Sequence, residues 1–135
     1  MKNKFLLIVL LLIFTRCEYN KDKLKIKNET SNKLFCKTIT IDKEDYNYHQ
    51  NSGGAIISAH SVGSPIVRGG ENSIKSDILQ NSVDGYLYII YYFQKDQEYI
   101  NKNIRTIIFD KRFKVGKYNL KELDCLDWTI TYDGN

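Results

Sequence analysis

No run of apolar residues in this chain is long enough to cross a bilayer. The longest, Phe5 to Phe14, has ten, against the roughly 20 that a transmembrane helix needs. Also missing are the sequence signatures of chemistry. There is no C-x-x-C and no cysteine spaced with histidine, which argues against thiolate metal binding. There is no H-E-x-x-H, and Gly69-Gly70 is neither G-x-G-x-x-G nor the start of a phosphate loop, so it reads as a turn. Without G-x-S-x-G, the set Ser61, Ser64, His60 and Asp77 has no positioned nucleophile. His49 and His60 read as exposed loop residues rather than metal ligands or bases. The acidic pairs Glu44/Asp45 and Asp124/Asp127 read as solvated or helix-capping groups. These absences lead to the expectation of a non-enzyme with no catalytic residue, no metal and no cofactor.

What is present begins with Met1 to Cys17. Lys2 and Lys4 precede the ten apolar residues, and Thr15, Arg16 and Cys17 close them. A basic start, an apolar stretch of roughly 7 to 15 residues and an abrupt end form the layout of a secretory signal. A cysteine where the mature chain would start points to lipidation at Cys17, although Phe14 and Arg16 stand where a lipobox has an aliphatic and a small residue. An ordinary signal peptide is the alternative, and it too has a poor cleavage site, since no A-x-A-like triplet is nearby. The expected division is residues 1–16 as signal peptide, 17–23 as tether and 24–135 as one β-rich domain. This places the protein in the cell envelope, membrane-anchored by lipid and facing the periplasm or the cell surface.

Removal of residues 1–16 leaves 119, enough for a single modest core. It also removes three basic side chains, so the formal charge falls from +4 to +1. A nearly neutral domain has no general electrostatic grip on nucleic acid. With Cys17 taken by the lipid, Cys36 and Cys125 remain as a pair, and a disulfide between them or two buried free thiols are both open.

Leu24 and Ile26 alternate with lysines, and Leu34 to Ile41 resumes an extended pattern after the polar turn Asn28 to Asn32, which suggests a hairpin. Asp42 to Gly54 reads as a long loop carrying Tyr46 and Tyr48. Ala55 to Ser58 and Pro65 to Arg68 suit brief strands. Tyr86 to Phe93, eight aromatic or aliphatic residues without a charge, reads as the central strand. Its two faces would be Tyr86, Tyr88, Ile90 and Tyr92 against Leu87, Ile89, Tyr91 and Phe93, with both covered, or one covered and the other an aromatic face whose hydroxyls reach water. Gln94 to Asn103 looks like a polar interruption, with Thr106 to Phe109 and Phe113 to Val115 as further strands. Asn119, with Glu122 three residues on, predicts a capped helix near residues 120–125. A half-buried strand then carries Trp128, Ile130 and Tyr132 on one face. The fold class is all-β or β-rich α+β, a small antiparallel sandwich or partly closed barrel with one short C-terminal helix.

Leu120-Lys-Glu-Leu123 followed by Trp128-Thr-Ile-Thr-Tyr132 resembles the C-terminus of small lipoproteins of the Bacteroidota type, as does an opening strand, Asn-x-Ser/Thr turn and second strand over Ile26 to Phe35. The resemblance departs at Asp133, where those chains have proline, and it implies no catalytic or binding residue.

Two features could bind. One is the aromatic supply, ten tyrosines and one tryptophan, with Tyr46 and Tyr48 as loop candidates. The other is Lys111, Arg112, Lys114, Lys117 and Lys121, five basic residues in eleven, suited to a headgroup or an anionic polymer. Each also has a structural reading, as core and cross-strand pairs and as a solvated strand face. The expectation is a lipid-anchored envelope protein with a non-enzymatic binding or structural role. Its partners would be the membrane, through the lipid, and an undefined protein or glycan, with no nucleic acid. The alternative is an inhibitor or immunity-type lipoprotein that blocks an envelope hydrolase or toxin, with Asp42 to Gly54 as the plugging loop.

Overall fold

The structure, a computed structural model, describes residues 23–41, 53–65, 73–104 and 106–135. The signal, Cys17, most of the tether, Tyr46 and Tyr48 with most of their loop, His49, the pair Glu44/Asp45, the Gly-Gly turn and the expected strand beyond Pro65 lie outside the described residues. Pro65 itself is buried and outside any strand. The short strand in that region is Val62–Gly63 instead.

Strands β1 (Lys25–Asn28), β4 (Val62–Gly63) and β7 (Thr129–Tyr132) form one sheet in the order β4-β1-β7. Strands β2 (Leu34–Ile39), β3 (Gly54–Ile57), β5 (Tyr86–Tyr92) and β6 (Lys114–Asn119) form the other, in the order β3-β2-β5-β6. All pairings are antiparallel except β1 with β7, which run parallel with Ile26 opposite Ile130. The fold is therefore a strand-rich α+β sandwich without a closed barrel.

β1 and β2 are not a hairpin. The intervening turn carries the chain from one sheet to the other, and Asn28 is the reason. Its side chain is fully buried, and its amide donates to the carbonyls of Asn32 (2.8 Å), Ser58 (3.1 Å) and Ile57 (3.3 Å). Its Oδ1 accepts from the Thr30 amide (3.0 Å) and hydroxyl (2.8 Å). A buried amide satisfied on both ends fixes the crossing between the sheets.

β5 is covered on both faces, one of the two readings that its unbroken apolar run allows. Leu87, Ile89 and Tyr91 pack with Leu34 and Cys36 of β2 against Ile26, Trp128, Ile130 and Tyr132 of the facing sheet. Tyr88, Ile90 and Tyr92 pack with Phe35 and Ile39 against Ile100 and Ile107. That second layer corrects the expectation for residues 94–109. Gln94–Asp96 and Ile107–Phe109 are 3₁₀ turns, and Gln97–Lys102 is a helix, α2. Thr106 to Phe109 is thus not a strand. The polar stretch folds because Ile100 and Ile107, both fully buried, supply the apolar contacts that a helix needs on its one inward face.

Before β5 lies a helical segment that the strand-by-strand reading passed over: α1 (Ser73–Ser76), continued by a π-helical turn over Asp77–Asn81. Ile74 and Ile78, four apart, both enter the inter-sheet core. The C-terminal helix α3 (Leu120–Cys125) forms as read, with the capping box complete: Asn119 Oδ1 accepts from the Glu122 amide (2.9 Å), and Glu122 Oε2 accepts from the Asn119 amide (2.8 Å). Asp127 (φ 48°) and Trp128 (φ 54°) then turn left-handed, which for non-glycine residues costs roughly 1–2 kcal/mol each. Burial of the indole, 2 % exposed, offsets that strain.

Candidate functional site

The pleat separates the basic run of residues 111–121 into local pairs. Lys117 stands opposite Tyr88 on β5, so it lies on the outer face, with its ammonium 4.0 Å from the Tyr86 ring centroid and 5.5 Å from that of Tyr88. Lys114, opposite Tyr91, lies on the other face, 3.7 Å from Asp133 and 5.2 Å from the Tyr132 ring. Arg112 folds back onto Asp110, with Nη2 2.6 Å from Oδ2 and Nε 3.0 Å from Oδ1, and covers the Tyr99 ring at 4.2 Å. These hydrogen bonds from Arg112 hold the Asp110 carboxyl well below the usual carboxylate range. Lys111 and Lys121 are exposed. The five cations therefore do not make one surface, and the Arg112 charge is already answered.

The two cysteines are also apart in character. Both are free thiols, but only Cys36, on the inner face of β2, is buried; Cys125 is exposed at the end of α3, against the expectation of a buried thiol there. Burial pushes the Cys36 thiol up to about 12, so it stays protonated and unreactive.

Two of the residues that could be written as a triad have other partners. The Ser61 hydroxyl donates to the Ser58 carbonyl (2.7 Å), and Asp77 accepts from the Asn81 amide (2.9 Å). His60 is exposed in a turn at φ 52°. Asp124 accepts from the Trp128 indole (2.9 Å). Among the described residues no group of three or more His, Cys, Asp or Glu side chains is placed to hold a metal ion, and no helix is long and apolar enough to cross a membrane.

A concave site lies elsewhere, beside β3. A cleft of about 500 Å³ is lined by Phe35, Tyr92, Ile56, Gln97, Gly54 and Ser64, with Cys36, Ala55 and Gly63 completing it. The topology explains it. β3 is the outermost strand of its sheet, α2 starts at Gln97, and between them the sheet's outer face shows the edges of the Phe35 and Tyr92 rings, whose centroids are 5.7 Å apart. Ile56 stands at the rim, 63 % exposed. Burial pushes the Tyr92 phenol up as well, so no lining side chain carries a charge near neutral pH.

Sequence reasoning did not single out this cleft. Its one legible signal was the uncharged run Ala55 to Ser58, which reads as a brief strand and is found as Gly54–Ile57. Gln97 and Ser64 reach the cleft through topology alone.

No family model, no curated protein and no solved structure matches the chain.

Proposed function

We propose that this is a lipid-anchored cell-envelope protein with a non-enzymatic binding role, tethered through Cys17 and using the cleft beside β3 to hold its partner. The observation that carries the reading is the N-terminal pattern. Two lysines, ten apolar residues and a cysteine are followed, seven residues after that cysteine, by Leu24, the first buried residue of the domain. Seven residues span about 25 Å at most when extended, so a lipid on Cys17 holds the domain close to the headgroups. The resemblance of the C-terminal pattern to small Bacteroidota-type lipoproteins supports the same reading. The cleft supports binding: a volume of this size, mostly apolar with a few polar groups at its rim, suits a small ligand or a short stretch of a larger one.

The test is fractionation. The wild-type protein is expected in the detergent-extracted membrane fraction and to take up a labelled fatty acid, while Cys17→Ser is soluble and unlabelled. Equal partitioning and labelling of the two proteins would remove the anchor.

A further inference from the structure

We infer that the cleft beside β3 receives an extended polypeptide segment with uncharged side chains, which adds to the four-stranded sheet as a fifth strand along the edge of β3. This deepens the binding reading above and rests on it.

The backbone makes the first part of the argument. Thr38 donates its amide to the Gly53 carbonyl at 2.9 Å, and Cys36 stands opposite Ala55 and Leu34 opposite Ile57. Hydrogen bonding alternates along an antiparallel strand. Residues 53, 55 and 57 therefore bond β2, and Gly54 and Ile56 turn their N–H and C=O groups outward. β3 ends the sheet, and β4 beside it pairs with β1 instead. Among the described residues, no backbone hydrogen bond outside the sheet ladder involves Gly54 or Ile56. Outward peptide groups on an edge that no described strand pairs are a template for another strand.

The two edges of this sheet are treated differently. β6 carries Lys114 and Lys117, and lysine on an edge discourages pairing. β3 reads Gly-Ala-Ile-Ile, without a charge.

The side chains make the second part. Tyr92 is only 8 % exposed, and it lines the cleft together with Gln97 and Ser64. An added main chain brings donors and acceptors to these polar groups, while its inward side chains meet Phe35, Tyr92 and Ile56. No lining side chain is charged, and Lys37, opposite Gly54 on the face that Phe35 shares, turns its ammonium to Asn101 Oδ1 at 2.9 Å, so a charge brought against the lining loses its hydration. Charge complementarity therefore selects an uncharged segment.

The experiment uses the full chain in mild detergent and a displayed pool of short random peptides. Enriched peptides are expected to lack charge, and synthetic copies are to be measured against two variants. Gly54→Ala keeps the outward N–H, and its Cβ meets only the Cys36 carbonyl at an ordinary 3.5 Å. Gly54→Pro removes that N–H at an edge position where proline is tolerated. Affinity should survive in Gly54→Ala and fall about tenfold in Gly54→Pro, the effect of one lost hydrogen bond plus the ring in the strand's path. Both variants should melt as wild type does. If Gly54→Pro does not fold, Ile56→Lys replaces it, since that side chain is already mostly in water. Enrichment of charged peptides, peptides that bind every variant equally, or a pool from which nothing is enriched would each overturn the inference. So would sedimentation showing self-association that Gly54→Pro abolishes, which assigns the edge to a second copy. Peptide affinity is expected to be the same in Cys17→Ser, so loss of the anchor and loss of the strand site are read separately.

Discussion

The indole nitrogen of Trp128 donates to Asp124 Oδ1 at 2.9 Å, joining the first buried residue after α3 back to the helix it has just left. Around that bond the Trp128 amide donates to the Leu123 carbonyl (2.8 Å), and the Trp128 carbonyl accepts from the Lys25 amide (2.8 Å). The helix end, the left-handed turn and the first strand of the domain thus meet at one side chain.

Trp128→Ala is expected to cost about 3–5 kcal/mol, because it empties the largest fully buried side-chain volume of the inter-sheet core. Asp124→Ala removes only the indole's acceptor and should cost about 1–2 kcal/mol. Urea unfolding followed by circular dichroism separates the two. Native tryptophan emission should be blue-shifted and slow to quench. A Trp128→Ala protein as stable as wild type would return the indole to a surface role.

How much of this was legible follows from how local each signal is. The capping box and the Trp128, Ile130, Tyr132 alternation are written within a few consecutive residues, so they were read correctly, as was the central place of β5, whereas its two-sided burial was one of two open readings. The β1–β2 hairpin was misread because a polar turn between two extended runs looks the same whether it folds the chain back or passes it to another sheet. Asn28 decides that through the carbonyls of Ile57 and Ser58, some thirty residues away. Residues 94–109 were misread because α2 and the second 3₁₀ turn each bury a single isoleucine and the first turn buries none, too little to make a period. The cleft was legible only as an uncharged brief strand. Only the sheet order makes β3 an edge and brings Gln97 beside it.

The free thiols predict a labelling pattern. Cys125 is exposed and should react with an alkylating reagent in the native state, whereas Cys36 should react only on unfolding. The Cys36 pKa, raised by burial to about 12 in the folded protein, adds a pH dependence. The unfolded state loses this proton near the ordinary thiol value, about 8.5, so stability falls as pH rises from there toward 12. Cys36→Ala should lose that component of the alkaline decline. Mass spectrometry without reduction, showing both thiols alkylated only after unfolding, would contradict the exposure of Cys125.

Asp84 predicts the opposite slope. Burial alone would raise its pKa, but hydrogen bonds from the Tyr88 hydroxyl, the Tyr86 amide and the Ser82 hydroxyl, with Lys117 nearby, bring it below the ordinary carboxylate value. The Tyr88 bond is the shortest, 2.5 Å. A depressed folded-state pKa contributes stability that is present above the unfolded value, about 3.9, and is lost as pH falls through the folded one. Asp84→Asn should therefore be less stable than wild type at neutral pH, with the gap closing below about pH 4. A gap that stays constant down to acid denaturation would mean that the carboxylate charge contributes nothing.

Asn28 gives the sharpest contrast between two substitutions of one residue. Asn28→Ala deletes the amide and leaves the Ile57 carbonyl without its side-chain donor and the Thr30 amide without its acceptor, in a site closed to water at residue 28; the expected cost is about 2–4 kcal/mol. Asn28→Asp keeps the shape but turns a carboxylate oxygen toward the carbonyls of Asn32, Ile57 and Ser58, where the native amide donates. At neutral pH that variant should be the less stable of the two, since a buried charge facing acceptors is worse than a small void. Its carboxyl is held protonated by the fold more readily than in the unfolded chain, so its penalty grows above the ordinary carboxylate pKa and is relieved as pH falls toward it. Urea midpoints measured from pH 7 down to pH 4 should bring Asn28→Asp from below Asn28→Ala to above it, because the protonated acid can again donate one hydrogen bond. If the two variants keep the same order throughout, the amide's donor side is not what fixes the crossing between the sheets.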